Sequence, residues 1–344
     1  MIEMDARDRD LVNVLQSEVP LSSTPYALIG QMLDMSEKEV IKRTERLKRE
    51  GVVRRISGSF IPKALGYQSC LVAAKVDEDN VERSAAMINL HPGVTQNYLR
   101  NHDFNLWFTI SIPSSSRLGL ERTVEILGEE AQCRAVRLLP TLKLLKSLST
   151  DVTDGGSGDS GDDAEGETPA LSPQEIEFVR LLQRDLPLQP RPFDTLAASA
   201  GTSGDDLLQA ARTFQKRHQM RKLAAAVDTR KPSFSATTMG VWVVPADKTD
   251  EFGELMGEFP AVSHCYLRPV YPDWPYNIFT TVHGRSVDEC DAVLADISQK
   301  SGYTERSALY PTRELKRIRL SFFSPEIEVW EQSHSSTESA SAVS

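Results

Sequence analysis

Two stretches, VTQNYLRNHDFNLWF (94–108) and VSHCYLRPVYPDWPYNIF (262–279), decide how this chain is built. Each opens as a short alternating run closing on Tyr-Leu-Arg, and a strand sends successive side chains to opposite faces. Gln96, Tyr98 and Arg100 therefore share one face of the first run. His264, Tyr266 and Arg268 share the matching face of the second. The same short sentence is written twice.

The correspondence extends outward from these runs. Val14-Leu15-Gln16 with Pro20-Leu21 matches Leu181-Leu182-Gln183 with Pro187-Leu188, and Val53-Arg54-Arg55-Ile56 matches Met220-Arg221-Lys222-Leu223. Pro92 matches Pro260, and Pro140-Thr141 recurs as Pro311-Thr312. Asn105 matches Asn277 once four extra residues are allowed in the second copy. Anchors kept in one order over most of each half mark a fused tandem duplication.

Each half begins with three short helical patterns. Leu11, Val14 and Leu15 share a face, PYALIGQML follows, and Ser36-x-x-Glu39 opens a third helix that Gly51 stops. The basic RRISGSFI beyond it reads as a wing. The second copy repeats the plan with Ser203-x-x-Asp206, then Leu207, Ala211 and Phe214. The remainder of each half alternates as β-α-β-β-α-β, the ferredoxin-like order. The expected class is α+β: two copies of a winged helix-turn-helix followed by a ferredoxin-like domain, closing on each other as an internal pseudo-dimer. The expected boundaries are winged helices at 1–62 and 171–232, and ferredoxin-like domains at 63–150 and 233–330. An acidic tether at 151–170 and a disordered tail at 331–344 complete the division.

The tether, DVTDGGSGDSGDDAEGETPA, holds seven acidic residues and no basic one, so it cannot build a core. Without it the net charge of −10 falls close to balance. Four cysteines with no CxxC spacing speak against a disulfide framework or a thiolate zinc site. MIEMDARDRD is charged where a signal peptide is apolar, and no apolar run reaches a membrane-spanning length. A cytoplasmic protein without membrane contact is expected.

A winged helix before a ferredoxin-like domain suggests a regulator of the Lrp/AsnC type. However, the second recognition helix starts with Asp205-Asp206, where phosphate contacts belong, so DNA is not an expected partner. The chemistry is expected on the sheet faces. Arginine forks grip carboxylates, aromatic rings pack a flat ligand, and imidazole donates a proton or ligates iron. Trp107, Tyr271, Trp274 and Tyr276 read as an aromatic surface beside them.

NYLRNHDFNLWFT, SHCYLRPVYPDWPYNIFTTVHGR and LYPTRELKRIRLSFF resemble signature segments of the two subunits of siroheme decarboxylase. The resemblance covers both folded halves and implies a natural fusion of those subunits. It implies removal of two acetate carboxyls from siroheme as carbon dioxide, giving 12,18-didecarboxysiroheme for haem or haem d1 formation. No cofactor is expected beyond the iron of the siroheme substrate. On this reading His264, His283, Tyr266 and His102 are the catalytic candidates, with His264 a candidate axial ligand to the substrate iron. Arg100, Arg268, Arg285, Tyr98, Trp274, Tyr276 and Asn277 are the substrate-binding candidates. Leu142-Lys143 against Arg313-Glu314 sets the copies apart and favours the second as the productive one.

Two other classes stay open on sequence: a tetrapyrrole-sensing DNA-binding regulator, and a tetrapyrrole carrier that does no chemistry. A further homo-oligomer also stays open. Other residues have plainer readings. His91 and His334 read as solvated, His218 as a helix end, Trp242 and Trp330 as packing, and the cysteines as small core residues.

Overall fold

In a computed structural model of the chain, residues 4–147, 170–227 and 236–335 are described. The expected tether, apart from Ala170, and the tail beyond Ser335 lie outside them. The first copy runs α1 (Ala6–Ser17), α2 (Pro25–Met32), α3 (Glu37–Arg49), β1 (Val53–Phe60), β2 (Tyr67–Lys75), α4 (Val81–Leu90), β3 (Val94–Arg100), β4 (Leu106–Pro113), α5 (Gly119–Glu130), β5 (Ala135–Leu139) and β6 (Lys143–Ser147). The second runs α6 (Pro173–Leu182), α7 (Pro192–Ala198), α8 (Gly204–Lys216), β7 (Met220–Val227), β8 (Ala236–Trp242), α9 (Thr249–Leu255), β9 (Val262–Leu267), β10 (Ile278–Gly284), α10 (Val287–Ser301), β11 (Arg306–Leu309), β12 (Pro311–Arg317) and α11 (Pro325–Ser335). The duplication is plain in the element order.

These elements gather by type rather than by copy. One compact unit holds Met1–Tyr67, Ala164–Arg230 and Ser321–Pro325, and so contains both helical domains. The Ser36 hydroxyl accepts from the Glu39 N–H and Ser203 from Asp206, as the cap patterns require. RRISGSFI does not fold back as a wing. β1 pairs antiparallel with β7 instead, joining the two copies in one ribbon.

The second unit holds both ferredoxin-like domains. Its sheets run β11-β8-β10-β9-β6 and β12-β3-β4-β2-β5, so each is completed by a strand of the other copy. Lys146 on β6 donates to the carbonyls of Met256 and Phe259, and Lys316 on β12 donates to that of Asn89, 2.6 Å away. Each swapped strand is thus fastened to a helix end of the copy it joins. One face of each sheet packs on its own helices. A shared core of Ala73, Phe104, Trp107 and Leu139 with Val241, Tyr266, Trp274, Phe279 and Leu309 joins the other two faces.

The C-terminal helix corrects the expectation of a disordered stretch from residue 331. α11 reaches Ser335, and Trp330 sits 4.5 Å from the His91 ring. The Glu331 carboxylate accepts from the Ser116 hydroxyl and the Arg117 N–H. Neither histidine expected to be solvated is so. His91 is fully buried, and His334 stacks on Trp330 at 4.0 Å while facing Glu130. His218 closes α8 with φ +56°, as a helix-end residue does.

Candidate functional site

The strand faces are those expected. Tyr266 pairs opposite Phe279 and His264 opposite Thr281, while Tyr98 pairs opposite Trp107. What the alternation could not supply is the cover over those faces. Trp107 and Trp274 are essentially without exposure and lie 5.3 Å apart in the shared core. They are packing residues of the sheet-to-sheet contact, which corrects the reading of Trp274 as an open ligand surface.

The arginines are engaged in the same sheet-to-sheet contact. Arg268 is only 3% exposed and donates to the carbonyl of Leu139. Its guanidinium lies 5.0 Å from the Tyr266 ring and 5.4 Å from Phe279. Arg100 repeats the arrangement, donating to Leu309 at 2.7 Å. Each reaches across to the last ferredoxin strand of the other copy, so both act as clasps between the sheets. Asn277 is also structural: its amide accepts from the Val244 N–H and donates to the Val244 carbonyl. Asn105 does the same with Val76. Arg285 stands exposed and paired with Glu289.

The second copy brings His264 and His283 together. A β-bulge on β9 makes Ser263 the extra residue between Val262 and His264. Strict alternation would send its hydroxyl to the opposite face, and the bulge swings it beside the imidazole. Ser263 Oγ lies 2.9 Å from His264 Nδ1 and 2.8 Å from His283 Nε2. Thr237 Oγ1, on the neighbouring β8, lies 3.1 Å from His283 Nδ1. The His264 ring stacks on Tyr266 at 5.7 Å and 6°. Tyr266 itself is buried, so what it offers the histidine is a ring to lean on.

Burial lowers the pKa of His264, and burial, then the neighbouring His264, lowers that of His283. Both imidazoles are therefore neutral near neutral pH, each with one donor and one acceptor nitrogen. Sequence reasoning missed Ser263 and Thr237, because no spacing rule ties a bulged serine to a histidine one strand away.

The first copy keeps the geometry and loses the imidazoles. The counterparts of His264, Ser263, His283 and Thr237 are Gln96, Thr95, Ser111 and Ser69. β3 carries the same bulge at Thr95, and Ser69 and Ser111 share a hydrogen bond of 2.8 Å. The swapped strands differ too. Leu144 and Ser147 face Tyr266 and His264, whereas Glu314 and Arg317 face Tyr98 and Gln96. His102 has left this face. It accepts from the Phe104 N–H and packs 5.2 Å from Trp274 and 6.4 Å from Tyr276, with its pKa lowered by burial. Tyr276 is half-buried beside it.

On the helical unit, Arg43 of α3 bonds Asp5 at 2.8 Å, Asp8 at 2.9 Å and Glu39 at 2.9 Å. Arg46 pairs with the same buried Asp8. Lys48 pairs with Asp185 at 2.7 Å.

The family model described as the siroheme decarboxylase NirDL-like HTH domain matches residues 8–54 and 175–221. The AsnC-like ligand binding domain matches 64–146 and 233–316. A siroheme decarboxylase of Hydrogenobacter thermophilus is 32% identical over 93% of this chain and 96% of its own length. This chain belongs to the siroheme decarboxylase family. A crystal structure of the siroheme decarboxylase NirDL in co-complex with an iron-uroporphyrin III analogue superposes with a TM-score of 0.77. It is 30% identical and covers 96% of this chain and 99% of that one. The siroheme decarboxylase alpha subunit of Desulfovibrio desulfuricans is 42% identical over 42% of this chain and 82% of that subunit. The family thus includes separate subunits about half the length of this chain.

Proposed function

We infer that this chain is a single-chain siroheme decarboxylase, a carboxy-lyase that removes two acetate carboxyls from siroheme as carbon dioxide and gives 12,18-didecarboxysiroheme. The observation that carries this reading is a pair of half-buried, neutral imidazoles joined by a serine, set in a chain that matches a siroheme decarboxylase over 93% of its length. The conjugated ring of the substrate accepts the electron pair left when a carboxylate departs. The chain then has to orient the macrocycle, strip water from the carboxylate and deliver a proton to the exposed carbon. His264 is the donor this reading favours, since both ring nitrogens of His283 are engaged by Thr237 and Ser263. Ligation of the substrate iron by His264 is the competing use of the same nitrogen.

DNA has no part in this reading. Of the basic side chains of α3, Arg43, Arg46 and Lys48 are held by carboxylates of their own unit, while Lys38, Lys42 and Arg49 stand exposed, and the matching helix of the second copy opens on Asp205 and Asp206. The product would serve haem or haem d1 formation. The test is anaerobic incubation of the purified chain with siroheme, followed by mass spectrometry of the tetrapyrrole. Loss of two carbon dioxide units is the expected result. A tetrapyrrole of unchanged mass, bound and released, would make the chain a carrier instead.

A further inference from the structure

We propose that Ser263 is the positioning residue of a proton relay running from Thr237 through His283 and Ser263 to His264. The proposal rests on the functional reading above and deepens it. It begins from a limit on what one hydroxyl can do. Ser263 has a single proton and three acceptors around it: two imidazole nitrogens within 2.9 Å and, at the longer 3.4 Å, the carbonyl of Thr281. In the relay it gives that proton to one of the closer nitrogens and accepts from the other, which couples the tautomers of His264 and His283. When Ser263 donates to His264 Nδ1, the His264 proton sits on Nε2, His283 Nε2–H donates to Ser263, and His283 Nδ1 accepts from Thr237. That orientation presents an N–H at the far side of His264.

The coupling answers a problem that burial creates. A neutral imidazole that gives up its N–H proton becomes an anion unless its other nitrogen is protonated in the same event. The relay supplies that second proton. As the carbon–carbon bond to the carboxylate breaks and carbon dioxide leaves, the electron pair stays with the methylene carbon and the ring. His264 Nε2 protonates that carbon, and His264 Nδ1 takes the Ser263 proton. Ser263 takes the Nε2 proton of His283, His283 Nδ1 takes that of Thr237, and water replaces the last. One proton enters for each carbon dioxide lost, so charge balances. After product departs, a solvent proton on His264 Nε2 drives the chain back. The burial gradient suits this direction: Ser263 is 7% exposed, whereas Thr237 stands in solvent.

The first copy supports the assignment by contrast. Its bulged Thr95 and its Ser69–Ser111 pair keep the hydroxyls, but Gln96 and Ser111 replace both imidazoles. A bulge kept in both copies with imidazoles beside it in only one points to chemistry rather than to sheet packing.

The experiment compares Ser263→Ala and Ser263→Thr with the wild-type chain in anaerobic single turnovers of siroheme. Ser263→Ala is expected to slow carbon dioxide release about 10²-fold with siroheme affinity changed by less than about twofold. Ser263→Thr, which keeps the hydroxyl, is expected to recover most of the rate. Turnover in mixtures of light and heavy water should give a curved proton inventory in the wild type and a straight one in Ser263→Ala. Wild-type rates in Ser263→Ala overturn the proposal, and so does a Ser263→Thr variant as slow as the alanine. A second readout needs no turnover. Imidazole ¹⁵N spectra should show His264 and His283 locked as coupled tautomers in the wild type, and His264 released to a mixture in Ser263→Ala. Spectra identical in the two proteins also overturn it. If wild-type protein leaves siroheme intact, the functional reading fails, and the nitrogen spectra still decide the relay.

Discussion

Arg100 of the first copy donates from Nη1 to the carbonyl of Leu309 in the second, 2.7 Å away, and Arg268 returns the bond to Leu139. The two guanidinium groups are the same residue of the repeat used twice, each closing the other copy's last ferredoxin strand. Alanine at Arg268 would leave a buried carbonyl without its donor, a cost on the order of 1–3 kcal/mol. Arg268→Lys keeps the charge and loses the fork, so it should fall between. Urea unfolding reads this directly. Unchanged stability combined with weakened siroheme binding would return Arg268 to the ligand.

The swapped strands predict the behaviour of a half-chain. Residues 1–150 alone would lack β12 beside β3 and β7 beside β1, and would bare Trp107 and Phe104. Such a face is covered by a second copy of itself. Sedimentation should show a dimer, with no turnover because both histidines of the relay lie in the other half. A monomeric, active half-chain would contradict the shared core.

Much of this was readable in the sequence, and the parts that were not share a cause. Periodicity and repeat anchors are local signals, and they located the strands, the caps and the duplication. They say which face a side chain takes and nothing about what covers it. Alternation therefore places Arg268, Arg100 and Trp274 on the right face and leaves that face open, whereas the second sheet lies over it. SPEIEVWEQSHS was misjudged from residue 331 for a related reason. Its composition is that of a tail, and it is held as a helix by Trp330 on His91 and by Glu331 at the start of α5. Ser263 escaped because a bulge breaks the alternation on which face assignments depend.

His91 gives the fold a pH dependence with a definite sign. Its Nδ1 accepts from the Gly93 N–H at 3.0 Å, and burial, assisted by Lys316 and His334, lowers its pKa to about 3 from 6.5. The unfolded chain therefore holds a proton that the folded chain lacks between those two values. Stability is fully present above pH 6.5 and drains as the pH falls toward 3, at up to about 1.4 kcal/mol per pH unit. His102, His264 and His283 shift in the same direction and are common to both proteins when wild type is compared with His91→Asn. The variant should be less stable at pH 7 and show a flatter decline between pH 6.5 and 4. Equal slopes in urea titrations would mean that His91 is protonated inside the fold.

The broken symmetry of the two copies makes the sharpest claim on activity. If the histidines were core fillers, repeated positions would tend to keep one residue type. Instead His264 stands against Gln96 and His283 against Ser111, while the serine or threonine between them is kept. The second copy is therefore expected to be the productive one. His264→Ala removes the donor and should slow decarboxylation by about 10²-fold or more. His283→Ala cuts the relay behind it and should slow turnover strongly while leaving siroheme binding close to wild type. His102→Ala loses its contacts with Trp274 and Tyr276 and its bond to the Phe104 N–H, so a milder change is expected. His218→Ala, at a left-handed position closing α8, should touch stability alone. Turnover of all four variants, with circular dichroism to show that each is folded, decides the matter. An inactive His102→Ala beside a near-normal His264→Ala would move the productive pocket to the first copy, and the histidine pair on β9 and β10 would then be structural.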